Sequence, residues 1–311
     1  MMGMVDGDLV AGVDVGGTNL RVAIARAEDP ARFLAHRAGP MPTPATPEAC
    51  VALIGLFLDT CCAEAGVERR RVAAVASTVP GITDDGRGTT LIVTNLPGWD
   101  NYPFAALLAS GLGIEAYIEN DVNAAALAEY FYGVGAGAHS LAYLTVSTGV
   151  AAGFVVQGQV LRGFRHSAGE MGFFVPDPAH LDGDWRPNGC LELTAAGVGL
   201  AKYWALHTGN TDATAIDVFA AARERNEHAG WLVQRAADYL AQTAIAIAAV
   251  LNPEVLVLGG SIAQHEPLVQ QRIERQVARA LPFAPRIVGS SFEGNAPMVG
   301  ALAIAARATA R

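Results

Sequence analysis

The chain has 311 residues, 16% of them charged, and a formal net charge of −9. That length suggests about two domains, and the deficit of positive charge argues against a nucleic-acid partner, whose binding needs a concentrated basic surface. Lys202 is the only lysine, which excludes a Gly-x-x-x-x-Gly-Lys loop and leaves any protein-kinase lysine or pyridoxal Schiff base to that one residue.

The first element in chain order is a hairpin. Residues 9–13 and 22–25 are short apolar runs rich in β-branched side chains, which suits two buried strands. Asp14-Val15-Gly16-Gly17-Thr18-Asn19-Leu20-Arg21 joins them. Gly16 and Gly17 permit positive φ and let backbone N–H groups approach an anion, and the Thr18 hydroxyl adds a donor. Asp14, at the mouth of the first strand, is placed to hold a cation or its water shell. An ordinary Gly-Gly turn beside a solvated Asp fits the same residues.

A third strand is expected over 33–36, then a proline-punctuated passage (Pro40, Pro42, Pro44, Pro47) into a helix over 46–65. Residues 72–77 read as a central strand ending in Thr78-Val79-Pro80-Gly81, and 89–94 as another, followed by a turn at Pro97-Gly98 and a short helix over 104–110. A strand over 114–119 carries Asn120 and Asp121 at its end, and 122–132 is Ala-rich and helical. Gly133 to Gly137 has the composition of a hinge. A second hairpin series then runs through 141–147, a turn at Thr148-Gly149, 151–157, a turn at Gly158-Gln159, and 160–161. It repeats the organisation of the first hairpin without its sequence, so two mixed α/β lobes are expected. Residues 169–187 are loop-like; helices are expected over 192–207, 213–225 and 230–251, with Pro253 ending the last. A strand over 255–258 meets the Gly259-Gly260 turn, and an Ala-rich helix over 296–310 closes the chain. The expected division is a small lobe of 1–120, with 296–311 packing back on it, and a large lobe of 121–295.

Cys50, Cys61, Cys62 and Cys190 contain no Cys-x-x-Cys pair, so buried thiols in a reducing cytoplasm are expected. The opening residues lack a basic, apolar leader, and the most apolar later stretch, 243–251, is too short to cross a bilayer. A cytoplasmic protein with no membrane partner is the expectation.

Taken in order, these pieces resemble the sugar kinases of the ROK (repressor, open reading frame, kinase) family over nearly the whole chain. Asp14 to Thr18 matches the family's first phosphate motif, Pro80-Gly81 its sugar-side turn, and Asn95-Leu96-Pro97-Gly98-Trp99 its Asn-Leu-…-Trp segment. Glu119-Asn120-Asp121-Val122-Asn123-Ala124-Ala125 matches its catalytic motif, Ser147 through Gly172 its signature, and Gly189-Cys190-Leu191-Glu192 its Gly-Cys-x-Glu sugar motif. Val257-Leu258-Gly259-Gly260-Ser261 is similar to its adenosine turn.

The resemblance implies an α/β, two-lobed, actin-like and hexokinase-like ATPase fold, with duplicated ribonuclease-H-like lobes, mixed sheets and the sugar between the lobes. It implies ATP-dependent phosphorylation of a hexose, glucose or a related sugar, at its primary hydroxyl, with Mg²⁺ and a homodimer. Asp121 takes the role of general base, although an Asp at a strand end before a helix also serves as an N-cap. Sugar contacts fall to Gly81, Thr94, Asn95, Asn120, Asp121, Glu170 and Glu192. Nucleotide contacts fall to Asp14, Gly16, Gly17, Thr18, Thr148, Gly149, Gly259 and Gly260, with Asp14 holding Mg²⁺ through water.

Two departures stand out. Phe173 replaces the histidine that follows Gly-Glu-x-Gly in relatives, and only Cys190 remains of their cysteine cluster; one thiol cannot make a four-ligand structural zinc site. No zinc is therefore expected, with the 182–188 loop held by other contacts, and His166, His180, Asp182 and Cys190 read as scattered loop residues. In the second phosphate turn, Ala151 and Ala152 stand where relatives carry glycine, with methyls expected to tighten the approach to nucleotide. These departures motivate an alternative, a sugar-binding regulatory protein of the same family with impaired turnover.

Overall fold

The computed structural model describes residues 8–310, which divide into two compact units. The first holds the chain up to residue 136, residues 163–167 and the segment from 294; the second holds 137–162 and 168–293.

The first unit contains β1 (Leu9–Val15), β2 (Asn19–Arg26), β3 (Asp29–Pro40), α1 (Pro47–Ala65), β4 (Val72–Val79), β5 (Ile82–Asp84), β6 (Thr89–Ile92), α2 (Phe104–Leu112), β7 (Glu115–Asn120) and α3 (Asp121–Tyr132). The second contains β8 (Ser140–Val146), β9 (Val150–Val156), β10 (Gln159–Val160), α4 (Cys190–Ala195), α5 (Gly197–Thr208), α6 (Ala215–Arg223), α7 (Glu227–Leu251), β11 (Val255–Gly259), α8 (Ser261–His265), α9 (Pro267–Ala280) and β12 (Arg286–Gly289). The chain closes with α10 (Ala296–Thr309), which belongs to the first unit.

Each unit is built on a five-stranded sheet, ordered β3-β2-β1-β4-β7 and β10-β9-β8-β11-β12. In both, the first strand pairs antiparallel with the next in sequence and parallel with the strand on its other side. The repeat of organisation expected from the hairpins is thus a repeat of whole sheets. β1 is buried along its length because both faces are covered, which is why it reads as a continuous apolar run. Leu9, Ala11, Val13 and Val15 pack in one cluster with Ile54 and Leu58 of α1 and Leu108 of α2. Val10 packs in another with Ala301, Leu302 and Ala305 of α10. Small residues let α10 approach closely: a Cβ on Gly300 would stand 2.0 Å from the carbonyl oxygen of Ala124 in α3.

This contact also explains the domain boundary. The expected first lobe ended at 120, whereas the first unit runs to 136. α3 packs against α10, and the buried Glu129 ties down the glycine-rich stretch that follows, its Oε2 accepting from Val134 N at 3.1 Å.

Local signals set most helix ends. The Thr46 hydroxyl accepts from Ala49 N and Gly66 closes α1 in the left-handed region. Asn226 caps α7 in the same way, so that helix starts three residues before the expected 230. The expected helix over 192–207 is two, α4 and α5, because Gly197 N leaves the helical ladder to donate to Ser147 O at 2.8 Å. β5, α8, α9 and β12 were not expected, and the third strand extends well beyond 33–36. No helix among the described residues is long and apolar enough to cross a membrane.

Candidate active site

The first unit carries Asp14, Gly16, Gly17, Thr18, Gly81, Thr94, Asn95, Asn120 and Asp121; the second carries Thr148, Gly149, Glu170, Glu192, Gly259 and Gly260.

In the first unit, β1 delivers Asp14 to the hairpin turn. Its Oδ2 accepts from Arg21 Nε at 2.8 Å and also from Arg21 Nη2, while its Oδ1 accepts from Thr78 Oγ1 at 2.7 Å. The carboxylate is held as an ion pair, not solvated as the simpler reading of the turn had it. Gly16 and Gly17 do not use the positive φ that glycine permits. Gly16 is needed for proximity instead, since a Cβ there would lie 2.9 Å from the Asn19 carbonyl oxygen, to which Gly16 N donates. Gly17 and Thr18 are exposed at the tip.

The end of β7 and the start of α3 form the second element. Asn120 is the N-cap, its Oδ1 accepting from Val122 N and Asn123 N, both at 2.9 Å. The capping role thus falls to Asn120, and Asp121 is the first helical residue. Its Oδ1 accepts from Val122 N at 2.9 Å and from Asn120 Nδ2 at 3.1 Å. Behind them, buried Glu119 accepts from Asn120 N at 2.9 Å and Asn123 Nδ2 at 3.2 Å, fixing the motif from below. Asn120 Nδ2 also donates to Gly81 O at 2.8 Å, which brings the Pro80-Gly81 turn to the helix start. Gly81 has φ +89°, and a Cβ would lie 2.1 Å from Ile92 O, so only glycine fits. Leu96 and Trp99 are buried, with Trp99 Nε1 donating to Ala45 O at 2.8 Å; that anchoring leaves Thr94 and Asn95 exposed in the preceding turn.

In the second unit, the β8–β9 turn presents Thr148 and Gly149. A Cβ on Gly149 would stand 2.3 Å from Glu192 Oε2, so the turn and this carboxylate are in contact. Glu192, in the first turn of α4, accepts from Val150 N at 3.3 Å. Burial pushes its carboxyl above the ordinary range, against the opposing pull of that N–H. Glu170 is raised as well, first by burial and then by the charge of Glu192, which places the two carboxylates within electrostatic reach of each other. Gly169 positions Glu170: it has φ +99°, its carbonyl accepts from Ala152 N at 2.7 Å, and a Cβ would collide with Ala152 O. Ala151 and Ala152 lie in β9, and the Ala152 methyl is buried in the core cluster of this unit. Gly259 ends β11 beneath the Tyr143 ring, whose Oη would be 2.0 Å from an added Cβ.

Beside this turn lies a cavity of about 390 Å³. Val198, Ala213, Ile216, Phe219 and Ile262 give it an apolar wall, and Ser147, Thr148 and Ser261 stand at its polar side. An Arg223–Glu266 ion pair of 2.7 Å completes the lining. The sequence reading missed this wall, along with Arg21, Thr78 and the supporting roles of Glu119 and Asn123.

The 177–190 stretch is held by side chains. The His180 ring stacks on Trp185 at 5.2 Å and meets Tyr239 edge-on at 5.9 Å. Trp185 Nε1 donates to His180 O at 2.7 Å, Tyr239 Oη donates to Asp177 Oδ2 at 3.0 Å, and Cys190 Sγ lies 3.6 Å from His180 Nδ1. His180 and Cys190 thus meet, while Asp182 is exposed. His166 belongs to the other unit, where its Nε2 lies 3.7 Å from Asp84 Oδ2.

Residues 10–308 match the family described as the ROK family. The chain is 30% identical over 293 residues to an N-acetylmannosamine kinase of Citrobacter koseri, covering 94% of this chain and 97% of that protein. It is similar to the crystal structure of a ROK hexokinase from Thermus thermophilus, with TM-score 0.83, 30% identity, and 97% and 99% of the two chains covered. A ROK family glucokinase from Streptomyces griseus, in complex with glucose and AMPPNP, is similar with TM-score 0.78 and 26% identity over 96% and 99%. Both neighbours share the two-lobed, actin-like α/β architecture.

Proposed function

The chain belongs to the ROK family, and on that premise we propose that it is a sugar kinase transferring the γ-phosphoryl group of ATP to the primary hydroxyl of a hexose. The observation that carries this reading is the start of α3. Asn120 takes the capping work and Glu119 supports it from below, so Asp121 is held at the helix start by two hydrogen bonds to one of its oxygens. A carboxylate fixed in that manner is suited to accept the proton of an attacking hydroxyl. Phosphoryl transfer asks the protein mainly for positioning and for relief of negative charge.

Glu170 and Glu192 are the sugar-binding carboxylates in this proposal, with Gly81, Thr94, Asn95 and Asn120 as further contacts. Adenosine occupies the apolar cavity beside Thr148 and Gly149, and packs against the Gly259-Gly260 turn. Gly16, Gly17 and Thr18 face the phosphates. Asp14 fits a hydrated magnesium ion on one observation: its carboxylate already holds a cation, the Arg21 guanidinium. When bound, magnesium neutralises phosphate charge. The absence of zinc belongs to the same proposal, on the single cysteine left of the relatives' cluster. A cytoplasmic homodimer belongs to the same proposal.

The deciding experiment measures ADP release with ATP and glucose, fructose, mannose, N-acetylmannosamine and N-acetylglucosamine. Release with at least one sugar is expected. A sugar that raises the melting temperature without any ADP release would replace this reading with the regulatory one.

A further inference from the structure

We propose that Arg21 is the resident counter-ion of Asp14, standing in the cation position of the first phosphate turn until a hydrated magnesium ion displaces it; this rests on the assignment of Asp14 to the metal. Arg21 lies directly opposite Asp14 in the β1–β2 register. Its Nε and Nη2 both donate to Asp14 Oδ2, and Thr78 holds Oδ1, so each oxygen of the carboxylate is engaged by a donor. The Asp14 side chain is 12% exposed, whereas the arginine side chain is 33% exposed. The carboxylate is fixed and the cation on it is the part with room to move.

A second set of acceptors is already within reach of the guanidinium. Nη2 donates to Gly294 O at 2.9 Å and Nη1 to Asn295 Oδ1 at 3.4 Å, in the turn that leads into α10. Arg21 therefore stands between a charged acceptor and a neutral pair. Arginine is a permanent cation, so its own chemistry does not release Asp14. A competing cation can: a divalent ion seeks oxygen ligands and brings twice the charge. The exchange keeps the turn from presenting a bare carboxylate to incoming phosphates, and it moves the guanidinium wholly onto the start of α10. Arg21 acts here as a positioning residue, through Asp14 and not on substrate.

The test uses Mn²⁺ as an EPR-visible stand-in for Mg²⁺, titrated into the full chain with and without AMPPNP. Wild type is compared with Arg21→Gln, Arg21→Lys and Asp14→Asn, each first checked for folding by its melting curve. Arg21→Gln is expected to bind Mn²⁺ about three- to tenfold more tightly than wild type, the scale set by losing one competing, half-buried charge pair. Arg21→Lys, which keeps the competing charge, is expected to stay near wild type and serves if the glutamine variant does not fold. Asp14→Asn is expected to lose the binding. Hydrogen exchange at the first turn of α10 should respond to Mn²⁺ in wild type and not in Arg21→Gln. Equal or weaker Mn²⁺ binding by Arg21→Gln overturns the exchange alone, and sugar-dependent ADP release still decides the kinase reading. Failure of wild type to bind Mn²⁺ with AMPPNP present overturns the exchange together with the metal assignment.

Discussion

Replacing Gly149 with alanine isolates the contact between the second phosphate turn and the proposed sugar carboxylates. Gly149 does not use the left-handed region, so alanine meets no backbone penalty there. Its Cβ would stand 2.3 Å from Glu192 Oε2 and 3.1 Å from the carboxyl carbon. Ordinary contact requires the oxygen to retreat by roughly 1 Å, which breaks its 3.3 Å bond from Val150 N. The obstacle is the tip of a flexible side chain, so global stability should change by no more than about 1 kcal/mol. Displacing a substrate-positioning group by about 1 Å costs up to roughly a hundredfold. The expected outcome is a loss of about ten- to a hundredfold in kcat/KM for the sugar, or about 1.4–2.7 kcal/mol of transition-state stabilisation. ADP release at varied sugar concentration reads that loss. Shortening the partner, Glu192→Asp, makes room for the methyl, so the double variant should lose less than the two single losses combined. Wild-type kcat/KM in a folded Gly149→Ala protein refutes the reasoning.

Asp121→Asn preserves an acceptor for Val122 N and Asn120 Nδ2 but removes the base, so kcat should fall about 10²- to 10⁴-fold with an unchanged melting temperature; retained turnover would sink the assignment. Glu170 and Glu192 titrate above the ordinary carboxylate value of 4.5, so the folded state binds their protons more tightly than the unfolded chain does. Their contribution to stability is then lost as pH rises from that value through the raised ones. The melting temperature of wild type relative to Glu170→Gln should fall over that window, and a flat difference contradicts the burial argument. Sugar affinity should run the opposite way, improving as the carboxylates ionise, and Glu192→Gln should move the Glu170 inflection to lower pH by removing a like charge. Ile216→Trp, which fills part of the 390 Å³ cavity, should raise KM for ATP about tenfold or more with the sugar KM little changed; an unaltered ATP KM places the adenosine elsewhere.

Sequence periodicity exposed the two sheets well because their central strands are buried on both faces and read as uninterrupted apolar runs. It failed where tertiary contacts override local pattern. The break between α4 and α5 is made by the Ser147 carbonyl, far away in sequence, and β5 is too short to show a period. α9 did carry a signal: Val269, Ile273 and Val277 recur at four-residue spacing behind Pro267 and are all buried. The site divides along the same line. Asn120, Asp121, Glu170 and Glu192 sit in contiguous motifs, which is why they stand out as candidates in the sequence. The cavity wall is assembled from α5, α6 and α8, whose apolar residues look like any core face. Arg21 was readable in principle, since a hairpin turning at Gly17-Thr18 sets residue 21 opposite residue 14.

The two hairpins share a sheet order but differ in how they become compatible with a phosphate-bearing substrate, and this bears on how so acidic a chain serves the proposed reaction. At the first, the carboxylate is matched by a guanidinium, so the turn is locally neutral although the whole chain carries −9. At the second, Ser147 and Ser261 share a 3.0 Å hydroxyl contact, and burial holds the nearby Glu170 and Glu192 carboxyls above their ordinary range. The charge of a buried carboxyl whose proton is held more tightly than usual responds to pH. Acidification should therefore act on the sugar carboxylates of the second unit, and sugar affinity measured against pH reads that effect.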